Sequence, residues 1–173
     1  MLAKVTVDEA ARVVAADERP PRLDLVGPFL EAAARVIKQE CGETVGKGQV
    51  HRVRSPQTTN EVSAMIAITG SVAGLVIYSM SRPVALSIAS KMIGEPQSDF
   101  DELPQSAIAE LANIITGQAS IGLERNGFPS IMSPPILLVG QGSSIATFNL
   151  TRLVVPLVVE AGEFLVDVAI KEA

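Results

Sequence analysis

Glu110 and Asn113 are the residues of this 173-residue chain whose types and spacing best suit chemistry. They stand three positions apart in the stretch SAIAELANIITG, residues 106–117, so on a helix their side chains emerge as neighbours. A carboxylate beside a carboxamide can hold a cation and orient a water molecule at the same time. Asparagine is also a poor residue in a helix interior, because its side chain competes for backbone hydrogen bonds. The pair is therefore a candidate site, although glutamate and asparagine on a solvated helix face are ordinary.

The helix that carries this pair has two different faces. Successive residues turn by about 100°, which places four apolar side chains on one stripe: Ile108, Leu111, Ala112 and Ile115. Polar or small residues share the opposite stripe: Ser106, Glu110, Asn113 and Gly117. Small residues around the pair predict room for another surface to come close: Ala109, Ala112, Thr116 and Gly117. The pattern predicts a helix that buries one face and offers the other to a partner.

Helical periodicity also occurs in two other parts of the chain. Three helices are predicted from the spacing of apolar residues: 24–42, 83–93 and 103–126. In the first of them, Asp24 is the expected N-cap, Pro28 falls in the first turn and Gly42 ends the helix. In the last, acidic residues at the start suit the positive end of the helix dipole.

Short runs of β-branched and apolar residues predict the strands. The runs VSAMIAITG and GLVIYSMS, separated at Gly70 and Ser71, are typical of a β-hairpin. Further strands are expected at 48–54, 135–140, 145–155 and 162–170. This order predicts an α+β fold, a mainly antiparallel sheet covered by two long helices in a pseudo-two-fold α-β-α-β arrangement. Residues 1–22, which end in ERPPR, read as an N-terminal arm or linker, and residues 23–173 as a single domain.

The composition restricts the class of protein. The chain is 47% apolar but only 3% aromatic, so its core must be aliphatic, and its formal charge is -5 without any basic run. Nucleic acid is therefore not an expected partner. The N-terminus does not resemble a signal peptide, and the apolar stretch at 62–80 is interrupted by glycines, so no membrane insertion is expected. A single cysteine, Cys41, fits a protein of the reducing cytoplasm.

No metal site is predicted from the remaining polar residues. His51 has no second ligand nearby and reads as a strand or surface residue. Asp99, Asp101 and Glu102 could bind a cation, but the pattern favours a solvated cluster at the start of a helix.

Ser106, Glu110 and Asn113 form the string S-x3-E-x2-N, which is similar to the signature of the CheC/CheX/FliY chemotaxis phosphatases. That signature continues to a proline just over twenty residues on, and of the adjacent Pro134 and Pro135 we favour Pro135. The stretch GPFLEAAARVI also resembles the first helix of the family, and the order of elements matches from about residue 24 to 172. CheC-type members carry the signature on both long helices. Here Glu31 is followed at position 34 by alanine, so the single copy most resembles CheX.

The resemblance implies a CheC-like fold and a phosphatase that acts on a phosphorylated CheY-like response regulator. It implies that Glu110 binds the regulator's active-site lysine and that Asn113 orients the water that attacks the aspartyl phosphate. Ser106 would support the helix start, and Gly117 and Pro135 would belong to the binding surface. The regulator would supply Mg²⁺, so the chain needs no cofactor, metal or nucleophile of its own.

Two further expectations concern partners. A non-catalytic docking module could use the same helix face to bind a regulator, a receptor or a flagellar switch protein, although docking alone has no need of the Asn113 carboxamide. The resemblance also implies a homodimer joined through the sheets. Because Pro156 cannot donate to a strand ladder, it marks either an outer edge or a bulge in its strand, and the expected joining edge is the other apolar strand, at about 72–80.

Overall fold

The computed structural model describes residues 22–53, 57–146 and 150–173. Within these residues the chain forms three helices: α1 (Leu23–Cys41), α2 (Arg82–Ile93) and α3 (Glu102–Arg125). All three predicted helices are therefore confirmed to within a residue or two. The predicted N-terminal arm lies outside the described residues except for Arg22. None of the described helices is long and apolar enough to cross a membrane.

The strands alternate with these helices in two groups. The first group precedes α2: β1 (Gly46–Lys47), β2 (His51–Val53), β3 (Gln57–Thr58), β4 (Val62–Gly70) and β5 (Val72–Met80). The second group follows α3: β6 (Ser130–Met132), β7 (Ile136–Val139), β8 (Ser144–Ile145), β9 (Arg152–Val159) and β10 (Gly162–Glu172). A helix followed by strands therefore occurs twice, as the sequence predicts.

Eight of these strands form one antiparallel sheet in the order β1-β9-β10-β5-β4-β6, with β2 beside β9 and β7 beside β4. The hairpins β4–β5 and β9–β10 meet at the centre, where β5 pairs with β10. The two groups of strands exchange their edge strands. From the first group, β1 and β2 pair with β9 of the second, and from the second group, β6 and β7 pair with β4 of the first. The predicted α+β fold with a mainly antiparallel sheet is thus confirmed.

The main core lies between the helices and one face of this sheet. Alternate residues of β4 and β5, among them Ile66, Val76 and Tyr78, point into it together with Phe29 of α1 and Ile115 of α3. One ion pair of the described residues is fully buried. Arg152 and Asp167 form a buried pair across β9 and β10, and the Arg152 guanidinium also donates to the Ile145 carbonyl at 2.9 Å. This second bond ties the small β3–β8 sheet to the main one.

The two long helices approach closely near Pro28 of α1. A Cβ built on Gly122 of α3 would lie 2.8 Å from the Pro28 Cβ, so only glycine fits there without a shift. Pro28 has no N–H to donate to the carbonyl of Asp24, four residues earlier. The Asn126 side chain donates to that carbonyl at 2.7 Å and replaces the missing bond.

Details at the start of α1 differ from the sequence-based expectation. The helix begins at Leu23, so Asp24 lies inside its first turn and makes no capping hydrogen bond. Asp24 instead pairs with Arg22, which lowers the pKa of the carboxyl below its ordinary value. Pro28 lies in the sixth position rather than in the first turn. Gly42 ends the helix as predicted, with a left-handed φ of 72°.

One predicted strand was placed wrongly, and short strands were missed. The strand expected at 145–155 is β9 at Arg152–Val159, because the apolar run RLVVPLVV continues past its predicted end. The short strand β6 at Ser130–Met132 was not predicted, since three residues between prolines give little periodicity. The hairpin around Gly70 and Ser71 is confirmed.

The strand at 72–80 is not a sheet edge. It is β5, which pairs with β4 on one side and with β10 on the other, so it cannot join a second chain. Pro156 does not lie at an outer edge either. It is opposite Leu165 of β10, and on its other side the neighbouring strand is interrupted between β1 and β2. There Gly48 donates its N–H to the Pro156 carbonyl at 2.8 Å.

We predict that Gly122→Val is less stable than Gly117→Val by about 1–3 kcal/mol, because only the former forces α1 and α3 apart. Gly117 is the matched control: it lies in the same helix, and a Cβ there meets no atom within 4 Å. Both variants change the helix propensity by the same amount. Urea midpoints measure the difference, and equal midpoints would show that the contact with Pro28 adds nothing.

Candidate active site

The start of α3 is fixed by hydrogen bonds within its own first turns. Ser106 donates its hydroxyl to the Glu102 carbonyl at 2.9 Å, and Gln105 donates its side-chain amide to the carbonyl of the buried Phe100 at 2.9 Å. Asp101 is the N-cap residue but makes no side-chain capping bond. Asp99, Asp101 and Glu102 remain exposed. Among the described residues, no group of three or more histidine, cysteine or carboxylate side chains could hold a metal ion.

A buried polar chain links the middle of α3 to the centre of the sheet. The Thr116 hydroxyl donates to the Ala112 carbonyl at 2.8 Å, and the Tyr78 hydroxyl lies 2.8 Å from the same Thr116 oxygen. Because the single Thr116 proton goes to Ala112, Tyr78 is the donor in the second bond. Burial raises the pKa of Tyr78 above its ordinary value, so the phenol keeps this proton. The chain fixes the rotation of α3 on the sheet.

This rotation buries part of the face that the sequence assigned to a partner. Thr116 and Ala112 are buried in the core and are not part of an open surface, which corrects the expectation for these two residues. Ala109 and Gly117 are half-buried. The four residues of the predicted apolar stripe are buried as expected: Ile108, Leu111, Ala112 and Ile115.

Glu110 and Asn113 lie together on the outer face of α3. Glu110 is exposed and Asn113 is half-buried, and Ser106 is exposed one turn before Glu110. Neither the Glu110 carboxylate nor the Asn113 carboxamide makes a hydrogen bond or ion pair with any other residue in the described parts of the chain. Both groups are therefore free to bind an external cation, a water molecule or a partner. Among the described residues around them, no nucleophile is paired with an activating base.

Pro135 lies on a different element from the other predicted residues. It is half-buried in the connection between β6 and β7, both of which contact α3. In the same connection Ser133 accepts a bond from the Ala67 N–H at 3.0 Å and donates its own N–H to the Ala67 carbonyl at 2.9 Å. The structure thus brings Ser106, Glu110, Asn113 and Gly117 onto one helix face and places Pro135 at the neighbouring sheet edge.

Two exposed apolar residues of α3 were missed from the sequence. Leu103 is 55% exposed and Ile121 is 50% exposed, although both are large. Together with Glu110 they are spaced by seven and eleven residues, so the three project along one side of the helix. The spacing of Leu103, Glu110 and Ile121 in the sequence could have revealed this row. A simple division of the helix into one apolar and one polar face hides it.

The outer face of α1 resembles that of α3 but lacks the carboxamide. Glu31 is exposed like Glu110, and the residue three positions later is the half-buried Ala34. The two helices thus present equivalent positions, of which only α3 carries both polar groups.

Comparison with known proteins gives consistent results. A family model described as chemotaxis phosphatase CheX matches residues 62–158, which include all of α3 and Pro135. The CheY-P phosphatase CheX of Thermotoga maritima is 29% identical over 126 residues, covering 72% of this chain and 81% of that protein.

Solved structures share the fold over most of the chain. A CheC-like superfamily protein from Shewanella sp. PV-4 matches with a TM-score of 0.80 at 24% identity, covering 87% of this chain and 99% of that one. The CheX–CheY–BeF3–Mg²⁺ complex from Borrelia burgdorferi gives a TM-score of 0.73 at 29% identity, covering 87% and 100% of the two chains.

Proposed function

Because the chain belongs to the CheX family of chemotaxis phosphatases, we propose that it hydrolyses the aspartyl phosphate of a phosphorylated CheY-like response regulator. The relative from Thermotoga maritima is a CheY-P phosphatase, and the Borrelia burgdorferi protein was crystallised in complex with CheY. The observation that carries the proposal for this chain is the free carboxamide of Asn113 beside the free carboxylate of Glu110 on an outward helix face. The lone Cys41 is consistent with action in the reducing cytoplasm.

In this proposal Asn113 enters the regulator's active site and orients the attacking water. The water oxygen bonds to phosphorus, the bond from phosphorus to the aspartyl oxygen breaks, and the aspartate leaves as a carboxylate. Inorganic phosphate keeps the water's protons. A carboxylate is a good leaving group and the Mg²⁺ belongs to the regulator, so positioning the water is the part that remains to be supplied. A carboxamide can do this by hydrogen bonding, without a nucleophile or metal on this chain.

Glu110 acts mainly in docking. Its carboxylate is exposed and unpaired within the described residues, so it can bind the regulator's active-site lysine without first breaking an internal ion pair. Since Glu110 and Asn113 are i and i+3, the contact with the lysine also sets the depth at which the carboxamide enters. Ser106 donates to the Glu102 carbonyl one turn earlier, which holds its side chain beside the first turn of the helix.

We predict that Asn113→Ala lowers the rate of dephosphorylation on the order of 10²-fold or more, because the water loses its orienting group. The fold should be retained, since Asn113 makes no hydrogen bond with the described residues. Phosphate release from a phosphorylated regulator measures the effect, with Glu31→Ala on the equivalent face of α1 as the control that keeps full activity. An Asn113→Ala protein as active as the wild type would rule out this mechanism. A wild type that binds the regulator without releasing phosphate would favour the docking module instead.

We predict that Glu110→Ala weakens binding of the regulator and that Glu110→Lys weakens it further, because a lysine would meet the regulator's own lysine. Added salt should weaken binding of the wild type more than binding of Glu110→Ala. Titration calorimetry measures both effects, and Glu31→Lys provides the same change of charge on α1. Unchanged affinity in both Glu110 variants would remove this residue from the interface.

We also propose that the protein is a homodimer joined at the edge formed by β6 and β7. That edge carries three large exposed apolar side chains, Ile131 at 73%, Ile136 at 60% and Val139 at 43%, whereas the opposite edge carries one, Val50 at 41%, beside Lys47 and His51. Ile131 and Ile136 pair with Thr69 and Met65, which alternate with the core-facing residues of β4, so both project from the sheet face opposite the helices. A dimer formed there occupies the edge next to Pro135, so Pro135 belongs to the dimer contact in this proposal, while Glu110 and Asn113 on α3 stay accessible to a regulator.

Light scattering should give a mass of about twice 18.2 kDa for the wild type at micromolar concentration. Ile131→Lys together with Ile136→Lys should give the monomer mass, because charges on this edge oppose strand pairing. Lys47→Glu on the opposite edge is the control that stays dimeric. A wild-type mass of 18.2 kDa would contradict the dimer.

A further inference from the structure

Gly117 lies in the interior of α3 without an internal reason to be glycine. Its φ is not positive, and a Cβ built there would meet no atom within 4 Å among the described residues. Glycine is among the least favourable residues in a helix interior, because it loses the most backbone freedom. The contacts of this chain would therefore accept alanine at position 117 and gain helix stability from it.

The other glycine of α3, Gly122, is explained by a contact within the chain. Gly122 is required by Pro28 of α1, which would lie 2.8 Å from an added Cβ. No equivalent neighbour is present at Gly117, which faces outward on the side of Glu110 and Asn113. A surface outside this chain accounts for the missing side chain, since a partner's atoms can then approach the backbone of α3 closely.

The neighbours of Gly117 make a notch in the outer face of α3. Asn113 stands one turn before it and Ile121 one turn after it, and Ser120 donates its hydroxyl inward to the Gly117 carbonyl at 2.8 Å. The notch thus lies directly beside the proposed water-orienting group. Its far wall is an isoleucine that is 50% exposed.

The exposed apolar residues extend this surface in both directions. Leu103 and Ile121 are 18 residues apart, which is roughly 27 Å along the helix, and Glu110 and Gly117 lie between them. That length is comparable to the width of a standard protein interface of about 800 Å² per partner. An apolar side chain at each end with polar groups between them suits a protein surface better than a small molecule.

We infer that Gly117 is the point of closest approach of the response regulator, where the backbone of a loop beside its phosphorylated aspartate lies in the notch and Ile121 contacts an apolar part of its surface. This inference rests on the proposed function for the identity of the partner. It adds that recognition extends one to two turns beyond Asn113. A second copy of this chain is not the occupant. The side chains proposed for the dimer contact, Ile131 and Ile136, project from the face of the sheet opposite the helices.

Gly117→Ala separates stability from recognition. The variant should have a melting temperature about 3 °C above the wild type, because alanine favours the helix and meets no neighbour. Its affinity should nevertheless fall by roughly tenfold, because the added methyl group occupies space needed by the partner. The probe is a regulator activated with beryllofluoride, which stands in for the aspartyl phosphoryl group. KM should rise by a similar factor, while kcat changes little because Asn113 is intact.

Gly27→Ala is the matched control. Gly27 is also a half-buried helical glycine with no atom within 4 Å of an added Cβ, but it lies on α1. This variant should keep wild-type affinity, although its melting temperature should rise less than that of Gly117→Ala, because Gly27 precedes Pro28 and the proline ring crowds a Cβ there. Gly117→Leu should bind more weakly still than Gly117→Ala, since a larger side chain fills the notch.

The outcomes separate this inference from the proposed function. If Gly117→Ala binds the activated regulator as tightly as the wild type, the notch is not in the interface and the inference is wrong. If the wild type binds the regulator but releases no phosphate, the proposed function is wrong, while the affinities of the Gly117 variants still decide the inference. If the wild type does not bind any activated regulator, both are wrong.

Discussion

The rotation of α3 depends on the buried hydrogen bond between Tyr78 and Thr116. Apolar packing alone would tolerate a helix turned by some degrees, because aliphatic side chains adapt to one another. A buried hydroxyl without a partner costs about 1–3 kcal/mol, so the bond selects one orientation. In that orientation Thr116 points at the sheet, and Asn113, three residues earlier, lies at the boundary between the packed and the open side of the helix. A half-buried carboxamide is held more firmly than a fully solvated one.

The contact between α1 and α3 supports the same arrangement from the side. Pro28 removes one backbone hydrogen bond of α1, and the Asn126 side chain replaces it. Gly122 has no side chain, so the proline ring can approach α3 closely. Three residues that look unfavourable in isolation thus form one contact. The two helices occupy equivalent places in the two halves of the fold, yet only α3 carries the asparagine. Under the proposed function, this difference leaves the pseudo-two-fold molecule with a single site, on α3.

Much of this could be read from the sequence. The three helices, the hairpin at Gly70 and the outward pair Glu110 and Asn113 follow from periodicity, because each depends on contacts between near neighbours in the chain. The order of strands in the sheet does not. Nothing in the run at 72–80 distinguishes a central strand from an edge, since an apolar strand suits both. The roles of Thr116 and Gly122 could not be predicted either, because their partners lie 38 and 94 positions away.

The exchange of edge strands has a consequence for how the molecule forms. Each half of the chain lends strands to the sheet of the other, and β10, which follows all other strands in the chain, occupies the centre beside β5. The pairing of β5 with β10 joins segments about ninety residues apart, and such distant contacts form slowly. On a ribosome, β5 of the first hairpin therefore lacks its neighbouring strand β10 until almost the whole chain has emerged. The sheet face on which α1 packs is complete only when β10 pairs with β5, so a nascent or truncated chain lacks the support of the helix that contacts α3 through Pro28 and Gly122.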